Sequence, residues 1–247
     1  GVDGGSGVFS GTLKDSGLGS GGRLTLVKYG AGTQTFSGAS TYTGDLYIRQ
    51  GTVKVTGSVT GMRLIDVAGS GTGTLAARLL VEGTVGTGNG GTFGVGASST
   101  GTGQVIVGKA GGSASLSIGN LDGANNGAVY IGGKINNGGA SGAGTLTIND
   151  GGTVTVGAAG RTVSNYDASA IWFNPWGGTA VASSINLNAG GTLTTSRSIK
   201  NGDGNKSSEV NFDGGTLKAG ANNVNLIVDA GNLTVTLGSG GGFVDTN

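Results

Sequence analysis

From Leu24 to Gly57 the chain alternates apolar and polar residues in short bursts: Leu24-Thr25-Leu26, Thr33-Gln34-Thr35-Phe36, Asp45-Leu46-Tyr47-Ile48 and Thr52-Val53-Lys54-Val55. Each burst sets apolar side chains on one side and Thr, Gln or Lys on the other, the period of two that marks a half-buried strand. Gly-centred turns of a few residues separate the bursts. Related Gly-Thr-apolar-x-apolar units recur almost to the C-terminus, and Phe243-Val244 still carries the strand pattern. No run suits a helix longer than about two turns, so the chain reads as all-β.

Strands this short, joined by such short turns, cannot all pair with their sequence neighbours as hairpins. The units resemble one another every 20 or so residues, which is the length of a solenoid coil. Stacking coils in parallel places Thr over Thr and Val over Val. The expected fold is a parallel β-helix of about 10–13 coils, a rod of about 50–60 Å at roughly 4.8 Å per coil. Leu75, Val85, Val105, Val107, Leu116, Ile118, Val129, Ile131, Leu146, Ile148, Val154 and Val156 are expected to share one interior. A β-sandwich is the alternative, weaker because sandwich strands need longer alternating runs and more bulky aromatics. One domain is expected over 1–247. Within it, 1–60 and the Gly-rich 61–160 hold coils, 161–182 is an aromatic loop insertion, and 183–247 resumes the rhythm.

Composition sharpens this picture. Glycine makes up 58 of 247 residues, and because it punctuates an apolar alternation it marks turns rather than disorder. Aromatics at 5% and charged residues at 11% leave a narrow core of Val, Ile, Leu, Ala and Thr. The 14 basic and 13 acidic residues are scattered, so no basic stripe for nucleic acid forms. No apolar stretch approaches the 18 or so residues of a membrane helix, and no signal peptide is expected within the chain.

Catalytic chemistry is poorly supplied. Cysteine and histidine are both absent, which removes thiolates, imidazole bases and the usual zinc ligands. Most acids stand singly beside Gly or Asn, as turn residues do. No Gly cluster has phosphate-loop spacing. The oxygen-rich loops Asn201-Gly202-Asp203-Gly204-Asn205 and Asp122-Gly123-Ala124-Asn125-Asn126 read as ordinary turns rather than calcium loops. The expectation is a protein that is not an enzyme and carries no metal or cofactor.

Lys28, Gly30, Gly32, Thr33, Ser37, Gly38, Tyr42, Thr43 and Gly44 follow the pattern K-x-G-x-G-T-x-x-x-S-G-x-x-x-Y-T-G, and Gly51-Thr52-Val53 stands where that pattern closes with G-T-L. The stretch resembles the passenger-associated strand repeat of autotransporters. Gly142–Gly157, Ile185–Leu193 and Asn211–Ala219 are similar to the Gly-rich repeats of long autotransporter-like and PEP-CTERM-associated bacterial surface proteins. The resemblance implies a secreted, right-handed parallel β-helix at or beyond a bacterial cell surface, and it implies no enzyme.

Two groups of residues are candidates for contacts. Neither end carries an amphipathic helix or a charged cap, so open strand edges are expected to drive end-to-end association. Joining Asn247 to Gly1 of a second copy reads as an unbroken strand-turn-strand. Gly1, Val2, Val8, Phe9 and Leu13 at one end, and Leu233, Val235, Leu237, Phe243 and Val244 at the other, are the expected joint, with further copies of the chain as partner. The second group is Tyr166, Trp172, Phe173, Pro175 and Trp176. This stretch is first expected to fold back over the β-helix, burying Trp172 and Phe173 as local packing, and otherwise to form a subunit contact or a surface for glycans. A stacking surface fibre is therefore the first functional expectation and an adhesin passenger the alternative.

Overall fold

A computed structural model describes residues 4–16, 22–68, 76–96, 101–119, 127–133, 142–157, 170–175, 182–202, 207–221, 225–228 and 231–246. The chain winds as a parallel β-helix with three faces. The first face stacks Gly7–Phe9, Thr33–Phe36, Gly51–Val55, Ala76–Val81, Thr102–Val107, Ala143–Ile148, Ser183–Asn188, Ser208–Asp213 and Leu233–Leu237 in sequence order. The second face holds Ala39–Thr41, the start of Ser58–Val67, the start of Thr84–Val95, Ala114–Ile118, Gly152–Val156, Thr192–Thr195, Thr216–Ala219 and Phe243–Asp245. The third holds Leu26–Lys28, Asp45–Ile48, the ends of the same two long strands, Val129–Ile131, Ala170–Phe173, Ser198–Asn201 and Ile227–Val228. Ser58–Val67 and Thr84–Val95 run round the corner between the second and third faces, which merges those faces into one sheet.

Register is what turns the alternation into a core. On the first face, Phe9, Phe36, Val55, Val81, Val107, Ile148, Leu187, Phe212 and Leu237 stand one above another in an inward row. A second inward row holds Val53, Leu79, Val105, Leu146, Ile185 and Val210, all buried. Between them an outward row carries Lys54, Thr147, Asn186 and Asn211. Along it the Asn211 side-chain amide donates to Asn186 at 3.0 Å, so polar ladders hold the same register outside that methyl ladders hold inside. Apart from Leu75, which lies outside the described residues, every residue expected to share the interior is buried there.

The rod is shorter than the coil length suggests. The first face has nine strands among the described residues, against the 10–13 coils expected. At about 4.8 Å per level, eight steps span roughly 38 Å. The reason is that turn length varies. One circuit takes 19 residues from Thr41 to Thr60, 26 from Arg78 to Gln104, 39 from Thr145 to Ser184 and 25 from Asn186 to Asn211. A second correction concerns 161–182, expected as a loop insertion: Ala170–Phe173 is a strand of the third face, paired with Val129–Ile131 and Ser198–Asn201. Its own alternation explains this, since Ile171 and Phe173 enter the core while Trp172 points outward. The first expected burst is also shifted, with the strand running Leu26–Lys28.

Candidate functional site

The corners of the shaft explain the glycines of the passenger-type motif. Gly38, Gly57 and Gly83 follow one another at the corner between the first and second faces, where backbone crosses backbone. The nitrogen of Ser58 donates to Gly38 O at 3.0 Å and that of Thr84 to Gly57 O at 2.8 Å. A Cβ on Gly57 would stand 2.6 Å from the carbonyl carbon of Ser37 and closer still to the oxygens of Ser37 and Gly38. At the next corner the Lys28 ammonium donates to Tyr29 O at 2.8 Å, Gly30 O at 2.5 Å and Gln50 O at 3.4 Å, capping carbonyls that the turn leaves free. Burial pulls its pKa down. Gly30 and Gly51 take left-handed φ of 80° and 71° there.

Residue Thr43 of the motif ties down the first turn. The Asp15 carboxylate accepts from the Leu24 nitrogen at 2.9 Å, the Thr43 nitrogen at 2.9 Å and Thr43 Oγ1 at 2.7 Å. These bonds favour the ionised form, led by that from Leu24, and hold Asp15 below its ordinary range. Tyr42 next to it is fully buried in the apolar core and its hydroxyl meets no partner. Desolvation is the first cause of its raised pKa, with the charges of Asp45 and Asp15 behind it.

The outside of the third face carries a charged cluster that the spacing of its residues did not reveal. Arg63 donates to Asp45 through Nε at 3.0 Å and Nη2 at 2.5 Å. The Tyr47 hydroxyl donates to the same carboxylate at 3.1 Å, Arg49 pairs with Asp66 at 2.8 Å, and the Arg49 guanidinium lies 4.5 Å from the centre of the Tyr47 ring. Parallel register makes neighbours of residues one circuit apart, and no local motif announces that.

Arg197 sits at the corner between the second and third faces, buried although it is charged. Its Nε donates to Gly157 O at 2.9 Å and its Nη1 to Gly127 O at 2.6 Å. Burial pulls its pKa down to about 10. Gly127 and Gly157 are far apart in sequence, so this one side chain ties two separate stretches of backbone to the same corner.

The aromatic candidates do not form one patch among the described residues. Trp172 points outward, half-buried, with the Lys200 ammonium 5.6 Å from its ring centre. Phe173 faces the other way and is fully buried. That removes it as a contact residue, because a strand puts successive side chains on opposite sides. Pro175 is half-buried. Tyr166 and Trp176 lie outside the described residues. So do most of the oxygen-rich loops, 122–126 and 203–205; Asn201 is buried and donates to Gly231 O at 2.7 Å. Among the described residues no cluster of three metal-ligating side chains occurs, and no helix is long and apolar enough to cross a membrane.

The ends are different. Val8 is 73% exposed and Leu237 69%, with Phe9, Val235, Phe243 and Val244 also open to solvent. Leu13 and Leu233 are half-buried against the core; Gly1 and Val2 lie outside the described residues. Two exposed residues of the first turn escaped the sequence reading, Val27 and Tyr29. The interior also opens at both ends. A groove of about 440 Å³ is lined by Leu26, Lys28, Gln34, Phe36, Leu46 and Val53, and one of about 600 Å³ by Leu217, Leu226, Ile227, Val228 and Val244.

Three stacked faces around an aliphatic interior define a β-solenoid. Residues 26–55 match the passenger-associated-transport-repeat family, so the chain carries the repeat of autotransporter passengers in its first turns. Comparison with curated proteins and with solved structures returns no significant match.

Proposed function

We propose that this chain is a module of a secreted or surface-displayed bacterial β-solenoid of the passenger type, and that its shaft stacks end to end with further copies into a filament. One observation carries the reading: every large apolar side chain that is exposed among the described residues, Val8, Phe9, Val27, Tyr29, Val235, Leu237, Phe243 and Val244, belongs to the first or last turn. Exposed apolar residues scattered over a surface are ordinary. Gathered in the first and last described turns, at the two ends of the stacked sheets, they favour β-addition. The role is mechanical and no catalytic or cofactor chemistry is assigned to it. The adhesin alternative rests on Trp172 alone among the described aromatics, so Trp172→Ala should leave assembly untouched. Static light scattering over a dilution series tests the main reading. Mass that grows with concentration in steps of the 23.6 kDa chain supports it, and a constant monomer mass to millimolar protein would overturn it.

A further inference from the structure

We infer that the joint is polar and has a single register, the last turn of one copy meeting the first turn of the next; the inference rests on the stacking reading just proposed. The rows of the shaft supply the argument. Continued past the last turn, the inward row that ends in Phe212 and Leu237 meets the row that begins with Phe9 and Phe36. Leu237 then covers Phe9, whose ring already packs edge-on against Phe36 with centroids 6.2 Å apart. On the second face Leu217 leads to Val244 and Lys218 to Asp245. At the other end Lys14 bridges to Thr41 in parallel, and Thr41 belongs to the row that ends at Lys218 and Asp245. The same seat that brings Leu237 under Phe9 therefore brings Asp245 under Lys14.

Charge selects this seat over its competitors. Lys218 already pairs with Asp245 at 2.7 Å, so the carboxylate of Asp245 lies between two ammonium groups in the head-to-tail joint. Two first turns placed together set Lys14 near Lys14, and two last turns set Asp245 near Asp245; like charges directly opposite one another are destabilising. Among the described residues the last turn has strands on the first two faces, and these form the joint.

The absence of cysteine from the chain makes the test clean. In this register Val8 and Thr236 are outward neighbours across the joint, within disulfide reach at the spacing of adjacent parallel strands. Within one copy they stand at opposite ends of the rod. The double variant Val8→Cys with Thr236→Cys should yield, on mild oxidation, a ladder of covalent multimers that reduction dissolves. Val8→Cys with Thr234→Cys, two residues out of register, should yield none. Neither single variant should form disulfide dimers. A ladder from the offset pair, or dimers from either single variant, would overturn the register or the polarity. Lys14→Glu should raise the concentration needed for assembly roughly tenfold, and an unchanged value would count equally against it. Wild-type protein that stays monomeric defeats the stacking reading itself, whereas wild-type filaments without the in-register ladder defeat only this inference.

Discussion

Replacing Gly57 by Ala tests the packing logic of the shaft at one methyl group. The φ of Gly57 is not left-handed, so the substitution is not strained by backbone conformation. The obstacle is the coil beside it: the new Cβ would lie 2.6 Å from Ser37 C, with two carbonyl oxygens closer still. Ordinary carbon contact of about 3.5 Å requires the two coils to part locally by roughly 1 Å. That separation breaks the bond from Ser58 N to Gly38 O, now 3.0 Å, and the one from Gly57 N to Phe36 O, now 3.2 Å. Two such bonds at about 1 kcal/mol net each, with overpacking strain of about 1–3 kcal/mol, place the loss at about 3–5 kcal/mol. Gly5→Ala is the matched control, because nothing lies within 4 Å of its Cβ; it should be neutral or stabilise by about 0.4–1 kcal/mol through the unfolded chain. Urea unfolding followed by circular dichroism reads both. A Gly57→Ala protein within about 0.5 kcal/mol of wild type would show that the coils yield freely and would refute the close-approach explanation of the corner glycines.

Further outcomes follow from single side chains. Tyr42→Phe removes a buried hydroxyl that has no partner, so stability should stay level or rise by up to about 1 kcal/mol; a loss above that would mean that the hydroxyl is satisfied in solution. Arg197→Met strands the carbonyls of Gly127 and Gly157 while relieving a buried charge, for a net loss of about 2 kcal/mol. Arg197→Lys should recover less than half of that, since one ammonium cannot span both carbonyls, and full recovery would contradict the bridging role. For Asp15 the folded carboxyl is held below its ordinary value near 3.8. Its contribution is therefore complete above that value and lost as pH falls through the lower, folded one. Amide exchange at Leu24 and Thr43 should quicken below about pH 3.8 in wild type and show no such step in Asp15→Asn; equal protection at acid and neutral pH would contradict this.

Much of the fold was legible because alternation and Gly punctuation are local. Alternation alone gives the strands Thr33–Phe36 and Asp45–Ile48 with their bounds and most of the interior from Val85 to Val156, though not Phe93 or Val95, which lie in a Gly-rich stretch without clear alternation. The number of turns was not legible, because the excursions between strands lengthen some circuits without altering the strand pattern. Ala170–Phe173 reads as a loop in the sequence because nearby aromatics and Pro175 outweigh four residues of alternation. At the ends, Val8, Leu237, Phe243 and Val244 could be named since they look like repeat interior. Their relation to Lys14 and Asp245 could not, because a row joins residues through nine levels of register rather than through sequence. Arg197 had no signal at all: one arginine in a Ser-Arg-Ser turn looks like any solvated corner until the coils above it are in place.

Electron microscopy of the 247-residue chain over a range of concentrations tests the central claim most directly. The account predicts unbranched filaments one solenoid wide, with a strand repeat near 4.8 Å along the axis and a module repeat of about 43 Å, nine levels of one copy. Separate short rods at every concentration would contradict it.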